Sequence, residues 1–327
     1  MAERFPRPPA PTGLFRSVPP AVFPATLGLL GLGVTWRVAA QTFGLPGALV
    51  EGYLGAATLV FVFAAIAYLA KVMRRPGALL EDARTLPGRA GLAAGAMCTM
   101  LLAAVLVPYM PGVARGVLAL GLSAHVAFGV LVAVQLWAAA PEARRATPAL
   151  HLVFVGVIVA PLAGLPLGWS SLSVALLWYA TVVSLSLCAL TLPGFLRSLD
   201  PAPLRPLHGI HLAPAGLISG TALATGFDGL AVAMLGWGGV LFLGLLIRVK
   251  WLTAAGFSGF WSAFTFPVTA FGGALILISA QGGGDAARIA GGAVLILATL
   301  VTLPIATRVL RSWADGSLAA RTNAARA

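Results

Sequence analysis

The residues with the clearest capacity for chemistry lie in one uncharged, apolar stretch, residues 256–278. It carries four hydroxyl side chains that fall on one stripe at helical spacing: Ser258, Ser262, Thr265 and Thr269. Hydroxyls donate hydrogen bonds without carrying charge, so the stripe could line a narrow pore. Phe266 borders the stripe and precedes Pro267, which removes a backbone hydrogen bond and bends a helix. Two interpretations stay open: a bulky ring at the bend of a pore helix, or ordinary aromatic packing.

Other reactive side chains do not form a recognisable pattern. Cys98 and Cys188 both sit in apolar segments, where cysteine packs as a small hydrophobic residue. His208 and His211 share a helix face, but no cysteine or carboxylate is expected to accompany them, so the metal signal is weak. They fit a pH-sensitive vestibule or an ordinary interfacial position better than a metal site. We therefore predict no enzyme activity, no catalytic residue, no cofactor and no metal.

Composition places these residues in a membrane protein. The chain has 327 residues, of which 59% are hydrophobic and only 9% charged, against roughly 25% charged in soluble domains. Hydrophobic stretches recur along almost its whole length, which predicts an all-α polytopic protein. The net charge of +12 does not indicate nucleic acid, because Arg and Lys cluster in every second loop.

The hydrophobic pattern predicts ten spans. Their approximate bounds are 20–38, 49–73, 88–108, 112–138, 148–167, 170–193, 208–226, 228–248, 255–279 and 286–310. In this arrangement 18 of the 21 Lys and Arg residues lie on the side of the two termini. The positive-inside rule then makes both termini cytoplasmic. No Asp, Glu, Lys or Arg lies in the centre of a span, which argues against a tightly coupled pump but not against a uniporter.

Short loops make consecutive spans antiparallel neighbours, so the ten spans form five helical hairpins. We predict a basic, proline-rich cytoplasmic segment over 1–19, a transmembrane domain over 20–312 and a cytoplasmic tail over 313–327. The longest inner loop, 74–89, fits a short surface helix or a solvated linker equally well.

Proline marks the odd-numbered spans. Four of the five have one within the span: Pro24, Pro161, Pro214 and Pro267. Most even spans lack one, so we expect bent odd helices inside the bundle and straight even helices outside. The odd helices are thus the candidates for lining a pore.

Several of these segments resemble the tellurite-resistance/dicarboxylate transporter (TehA/SLAC) family, which includes the plant slow anion channels. The ninth span, Phe-Ser-Gly-Phe-Trp-Ser-Ala-Phe-Thr-Phe-Pro at 257–267, is similar to the family's signature. The first span at 22–37, the fifth at 147–156 and the seventh at 212–216 resemble the corresponding family elements.

The resemblance implies five helical hairpins around a quasi-fivefold central pore, with three protomers in a homotrimer. It places a pore-closing phenylalanine on Phe266, with Phe264 as the fallback, since two residues are roughly 200° apart around a helix. It implies an anion channel of the bacterial inner membrane that passes small anions such as chloride and nitrate. The alternative is an alternating-access carrier for dicarboxylates or toxic oxyanions such as tellurite. The expected partners are these inorganic or organic anions and membrane lipid, with no nucleic acid.

Overall fold

The computed structural model describes residues 13–140 and 144–327, and these residues are mainly helical, with no β-strand among them. The first twelve residues of the predicted N-terminal segment lie outside the described part. The α-helices are α1 (Phe23–Phe43), α2 (Gly47–Arg74), α3 (Gly77–Arg84), α4 (Leu86–Leu106), α5 (Pro111–Ala138), α6 (Pro161–Gly164), α7 (Ser170–Leu196), α8 (Leu212–Ala224), α9 (Asp228–Ile247), α10 (Val249–Leu252), α11 (Thr265–Ala280), α12 (Gly284–Ala314) and α13 (Ser317–Arg321). Shorter helical stretches of other types are the 3-10 helices Pro20–Val22, Gly156–Val159, Ala202–His211 and Gly259–Phe264 and the π-helix His151–Val155.

Eight helical stretches are long and apolar enough to cross a bilayer. They are 20–43, 47–74, 86–106, 111–138, 170–196, 228–247, 259–280 and 284–314. This confirms the prediction of a helical integral membrane protein. The two remaining predicted spans, 148–167 and 208–226, are helical but divided into short pieces of different helix type, so the count of ten stays a prediction.

The four prolines in the odd segments share one structural setting. Each lies in the first turn of an α-helix that follows a 3-10 stretch. The α-helix follows the 3-10 stretch directly except at Pro161, where one residue lies between them. Proline suits this place because the first N–H groups of a helix have no intrahelical acceptor. The expected bends are therefore changes of helix type just before each proline, rather than kinks within one continuous α-helix.

Burial separates an inner from an outer set of helices. We compared the buried share of an 18-residue apolar stretch in each helix. It is 56–72% in α1, α4 and the 259–280 stretch, against 22–39% in α2, α5, α7, α9 and α12. The outer helices expose large apolar side chains such as Phe63, Leu120, Val182, Leu243 and Leu300. The fifth and seventh segments, 151–164 and 202–224, are also largely buried. We call these five odd-numbered segments (20–43, 86–106, 151–164, 202–224 and 259–280) the inner segments. Their inner position and the outer position of the even helices agree with the expectation from the proline pattern.

Glycine allows the inner segments to approach closely. A Cβ atom at Gly216 of α8 would lie 2.6 Å from the carbonyl of Ala270 in α11, so no larger residue fits without separating the helices. A Cβ atom at Gly91 of α4 would lie 2.2 Å from the carbonyl oxygen of Pro20. Small residues at such crossings permit tight helix packing in membranes.

Residues near both ends of the chain meet on one side of the protein, which we call the terminal face (13–19, 75–85 and 315–327). Lys71 donates to Asp82 at 2.7 Å and to the carbonyl of Val18 at 2.8 Å, and both members of this ion pair are fully buried. Asp82 also accepts from the backbone N–H of Ala325 at 2.8 Å. The 74–89 loop thus contains a short helix, α3, which lies at the surface with one face exposed, and Asp82 on its buried face anchors it to the protein.

Candidate functional site: cavities on either side of Phe266

Phe266 is positioned by a change of helix type. The 3-10 stretch Gly259–Phe264 passes into α11 at Thr265, so Phe266 is the second residue of an α-helix. Its side chain is only 4% exposed. A Cβ atom at Gly31 of α1 would come within 2.4 Å of the Phe266 ring, so the ring lies directly against the bare backbone of that glycine.

One cavity, the large cavity, lies on the side of Phe266 away from the terminal face and has a volume of about 260 Å³. All five inner segments contribute to its wall. The lining residues include Gly31, Thr35, Leu101, Pro161, Leu165, Gly216, Thr221, Phe266, Thr269 and Gly273. Its volume is enough for several water molecules or a small ion with part of its hydration shell.

A second cavity, the small cavity, lies on the other side of Phe266 and has a volume of about 40 Å³. The same five inner segments line it. Its wall includes Pro24, Leu27, Ala90, Leu152, Leu207, Ile210, Ala213, Ser262, Phe266 and Pro267. Among the described residues, Phe266 is the one that lines both the large and the small cavity.

A third cavity, the mouth cavity, of about 90 Å³, continues from the small cavity toward the terminal face. The two share Pro24, Ala90, Gly259 and Phe260 in their walls. Helix α13 contributes Leu318 and Arg321 to the mouth cavity. The three cavities therefore follow one another along the ninth segment, from residue 257 to residue 277.

The hydroxyl stripe is divided among these spaces. Ser258 lines the mouth cavity, Ser262 the small cavity and Thr269 the large cavity. Ser262 Oγ is buried without a hydrogen-bond partner, so it is free to bond a guest in the small cavity. Thr269 donates to the carbonyl of Phe266 at 2.7 Å. Thr265 lines neither the large nor the small cavity, because its hydroxyl donates to the carbonyl of Ser262 and it packs against Gly28 of α1.

The other candidates also separate by position. Pro24 and Pro267 line the small cavity and Pro161 the large one, whereas Pro214 is buried in α8 and lines neither. Phe264 lies against Gly209 and lines a peripheral groove between α9 and α12. Its ring is therefore not in the wall between the two cavities, which leaves Phe266 as the candidate for closing the path.

Sequence reasoning missed polar groups that other segments contribute. Thr35 of α1 lines the large cavity and donates to the carbonyl of Thr269 at 3.1 Å, and Thr221 of α8 lines the same cavity. The sequence feature that could have indicated Thr35 and Thr221 is their position in odd-numbered spans that contain a proline. No charged side chain of the described part of the chain lines the large or the small cavity.

Charged groups near the far end of α1 are ion-paired. Arg37 donates two hydrogen bonds to the carboxylate of Glu51, at 2.6 and 2.7 Å. Tyr109 donates to the same carboxylate at 2.8 Å, and this hydrogen bond raises the pKa of the Tyr109 hydroxyl. The cluster ties α1 and α2 to the turn after α4 and leaves Arg37 locally neutralised.

Comparison with curated proteins of known function finds no match. A family model described as SLAC1, voltage-dependent anion channel, matches residues 17–310, which include every segment that lines the large and small cavities. That match covers most of the chain, so this protein belongs to the SLAC1 family, whose members are anion channels and transporters rather than enzymes.

Proposed function

We propose that this chain is an anion channel in which small monovalent anions move along the three cavities and the ring of Phe266 closes the path. The observation that carries the proposal is the place of Phe266. It is the shared wall residue of two cavities that are each lined by all five inner segments. A quasi-fivefold arrangement of ten spans fits this lining pattern.

The chemistry of the walls favours anions that lose water easily. The large and small cavities offer hydroxyls and apolar surface but no fixed positive side chain to replace hydration energy. Weak binding lets an ion leave as readily as it enters, which conduction requires. Nitrate and bromide should therefore pass better than fluoride.

The charge distribution supports a cytoplasmic terminal face. Eighteen of the 21 Lys and Arg residues lie on that side in the ten-span arrangement, and Arg321 lines the mouth cavity. The positive surface would raise the local anion concentration, an effect that salt screens within about 10 Å at 0.1 M. Assembly as a homotrimer in a bacterial inner membrane belongs to the same proposal and rests on resemblance to the family.

The rival within the family is a carrier of dicarboxylates or oxyanions. Purified protein in liposomes separates the two mechanisms when nitrate, chloride, malate and tellurite are tested one at a time. A channel gives nitrate and chloride flux that rises with concentration and carries current. A carrier saturates and moves malate or tellurite in preference. The ring closes the path in the unaltered protein and so limits its flux. Phe266→Ala protein is therefore tested beside it.

Flux of nitrate and chloride that is absent from empty liposomes supports the proposal. Saturable malate or tellurite flux without anion current refutes it in favour of the carrier. No flux from either protein, when both are folded and inserted, refutes both mechanisms.

A further inference from the structure

Three metal-ligating side chains that are distant in sequence meet inside the protein. They are His151 in the π-helix, Cys188 in α7 and His211 at the end of a 3-10 helix, and each is at most 4% exposed. Cys188 Sγ lies 3.7 Å from His151 Nε2 and 3.5 Å from His211 Nδ1. The three ligand atoms all lie within 4.8 Å of one another.

Neighbouring groups determine which ring nitrogen carries the hydrogen in His151 and in His211. His151 Nδ1 lies 3.2 Å from the carbonyl oxygen of Pro148, which can only accept, so Nδ1 carries the proton and Nε2 presents a lone pair to the sulfur. On the other side, Asp200 accepts from His208 Nε2 at 2.8 Å, which leaves His208 Nδ1 as an acceptor. His211 Nε2 lies 3.4 Å from two acceptors, His208 Nδ1 and the hydroxyl oxygen of Thr191, whose own hydrogen goes to the carbonyl of Leu187. His211 Nε2 therefore carries the proton, and its Nδ1 lone pair also faces the sulfur.

The thiol of Cys188 cannot satisfy both lone pairs. A thiol has one hydrogen and can donate to only one ring nitrogen, which leaves the second nitrogen facing sulfur lone pairs in a buried site. A cation between the three atoms removes this conflict. Bonds of about 2.3 Å to sulfur and about 2.0 Å to nitrogen place the sulfur and a nitrogen about 3.5–3.7 Å apart in tetrahedral or trigonal geometry, which matches both sulfur–nitrogen separations here.

We propose that His151, Cys188 and His211 bind one copper(I) ion. Thiolate and imidazole are ligands for soft ions such as copper(I) and zinc. On binding, the S–H bond of Cys188 breaks, a sulfur–copper bond forms, the proton leaves to solvent and copper keeps its charge of +1. The thiolate then neutralises the ion, which matters because an uncompensated charge is costly in a buried site. Zinc(II) would leave a net positive charge, and structural zinc prefers a fourth ligand.

The ion would join three segments near the terminal face. His151 precedes Leu152, and His211 follows Ile210, and these two apolar residues line the small cavity. His208 and Asp200 act as positioning residues, because they orient His211 without touching the ion. The site would thus fix part of the wall beside Phe266 without contributing a charge to it.

The test is copper loading of the purified full-length protein. Copper(I) is supplied under anaerobic ascorbate, excess ion is removed with a copper(I)-selective chelator, and copper per chain is measured by mass spectrometry. We expect about one copper per chain in the unaltered protein and in Cys98→Ser, the matched control at the other buried cysteine. Cys188→Ser should lose the ion, and Asp200→Asn should weaken its affinity by about 10- to 100-fold.

X-ray absorption of the loaded, unaltered protein provides a measurement that no variant's folding affects. One sulfur and two nitrogen neighbours around copper support the proposal. Equal copper in Cys188→Ser and unaltered protein, or a copper environment without sulfur, overturns it. Retention of one zinc(II) through Cys188 with no copper(I) binding overturns the assignment of the ion.

Discussion

Replacing Phe266 with alanine tests the gate directly. The ring is 4% exposed, lies against Gly31 and lines both of the cavities of about 260 and 40 Å³. Alanine at this position leaves no side chain large enough to separate them. The two spaces then become one passage of about 300 Å³ plus the volume that the ring occupied.

The expected gain in flux follows from the burial of the ring. Under the proposed mechanism an anion passes only when the ring leaves its buried position, and full burial of a phenylalanine side chain is worth about 1.5–3 kcal/mol. Each 1.36 kcal/mol in a barrier changes a rate tenfold. Phe266→Ala should therefore raise nitrate flux by about 10- to 150-fold.

Phe271 provides the matched control because it is on the same helix and is also 4% exposed. Its ring packs against Phe242 at 5.4 Å between ring centres and lines neither the large nor the small cavity. Phe271→Ala should lose about 3–5 kcal/mol of stability, as core phenylalanines do, without a gain in flux. Phe266→Ala should lose less, because its ring already borders two open spaces.

The assay is nitrate flux from liposomes with equal amounts of each protein, together with thermal unfolding in detergent. Equal flux from folded Phe266→Ala and folded Phe271→Ala would refute the gate. So would a loss of stability at Phe266 as large as that at Phe271 with unchanged flux, since this is the outcome that ordinary packing predicts.

Three further variants test neighbouring parts of the structure. Gly31→Ala should displace the ring and raise nitrate flux, and the same change in Phe266→Ala protein should have no added effect. Ser262→Ala should lower nitrate flux about tenfold or more, because a hydrogen bond to a charged group is worth about 1.5–3 kcal/mol. Its unfolding temperature should stay the same, since the hydroxyl has no protein partner. Lys71→Met should leave Asp82 buried without its cation and lower the free energy of unfolding by about 3–5 kcal/mol. An unchanged free energy of unfolding would refute a stabilising role for the pair.

Features that depend on one segment at a time were predictable from the sequence. Hydrophobic length indicated the helical membrane fold, and the ninth-span motif indicated the family. The contact of Phe266 with Gly31 was not predictable, because it depends on how α1 crosses α11. Likewise, His208 and His211 looked unaccompanied, since Cys188 and His151 reach them only after three segments fold together.

The helix breaks also decide which polar groups the small cavity can offer. Helices α1, α8 and α11 all begin beside it, with Pro24, Ala213 and Pro267 from their first turns in its wall. The first N–H group of each helix donates back into the preceding 3-10 stretch: Phe23 to the carbonyl of Pro20, Leu212 to that of Gly209 and Thr265 to that of Ser262. Each first turn also contains a proline, which has no N–H to donate. The backbone at these helix starts therefore offers the small cavity few free donors. Ser262 Oγ, which is buried without a hydrogen-bond partner, is the side-chain donor left for an anion there, and this is why we expect Ser262→Ala to lower the flux.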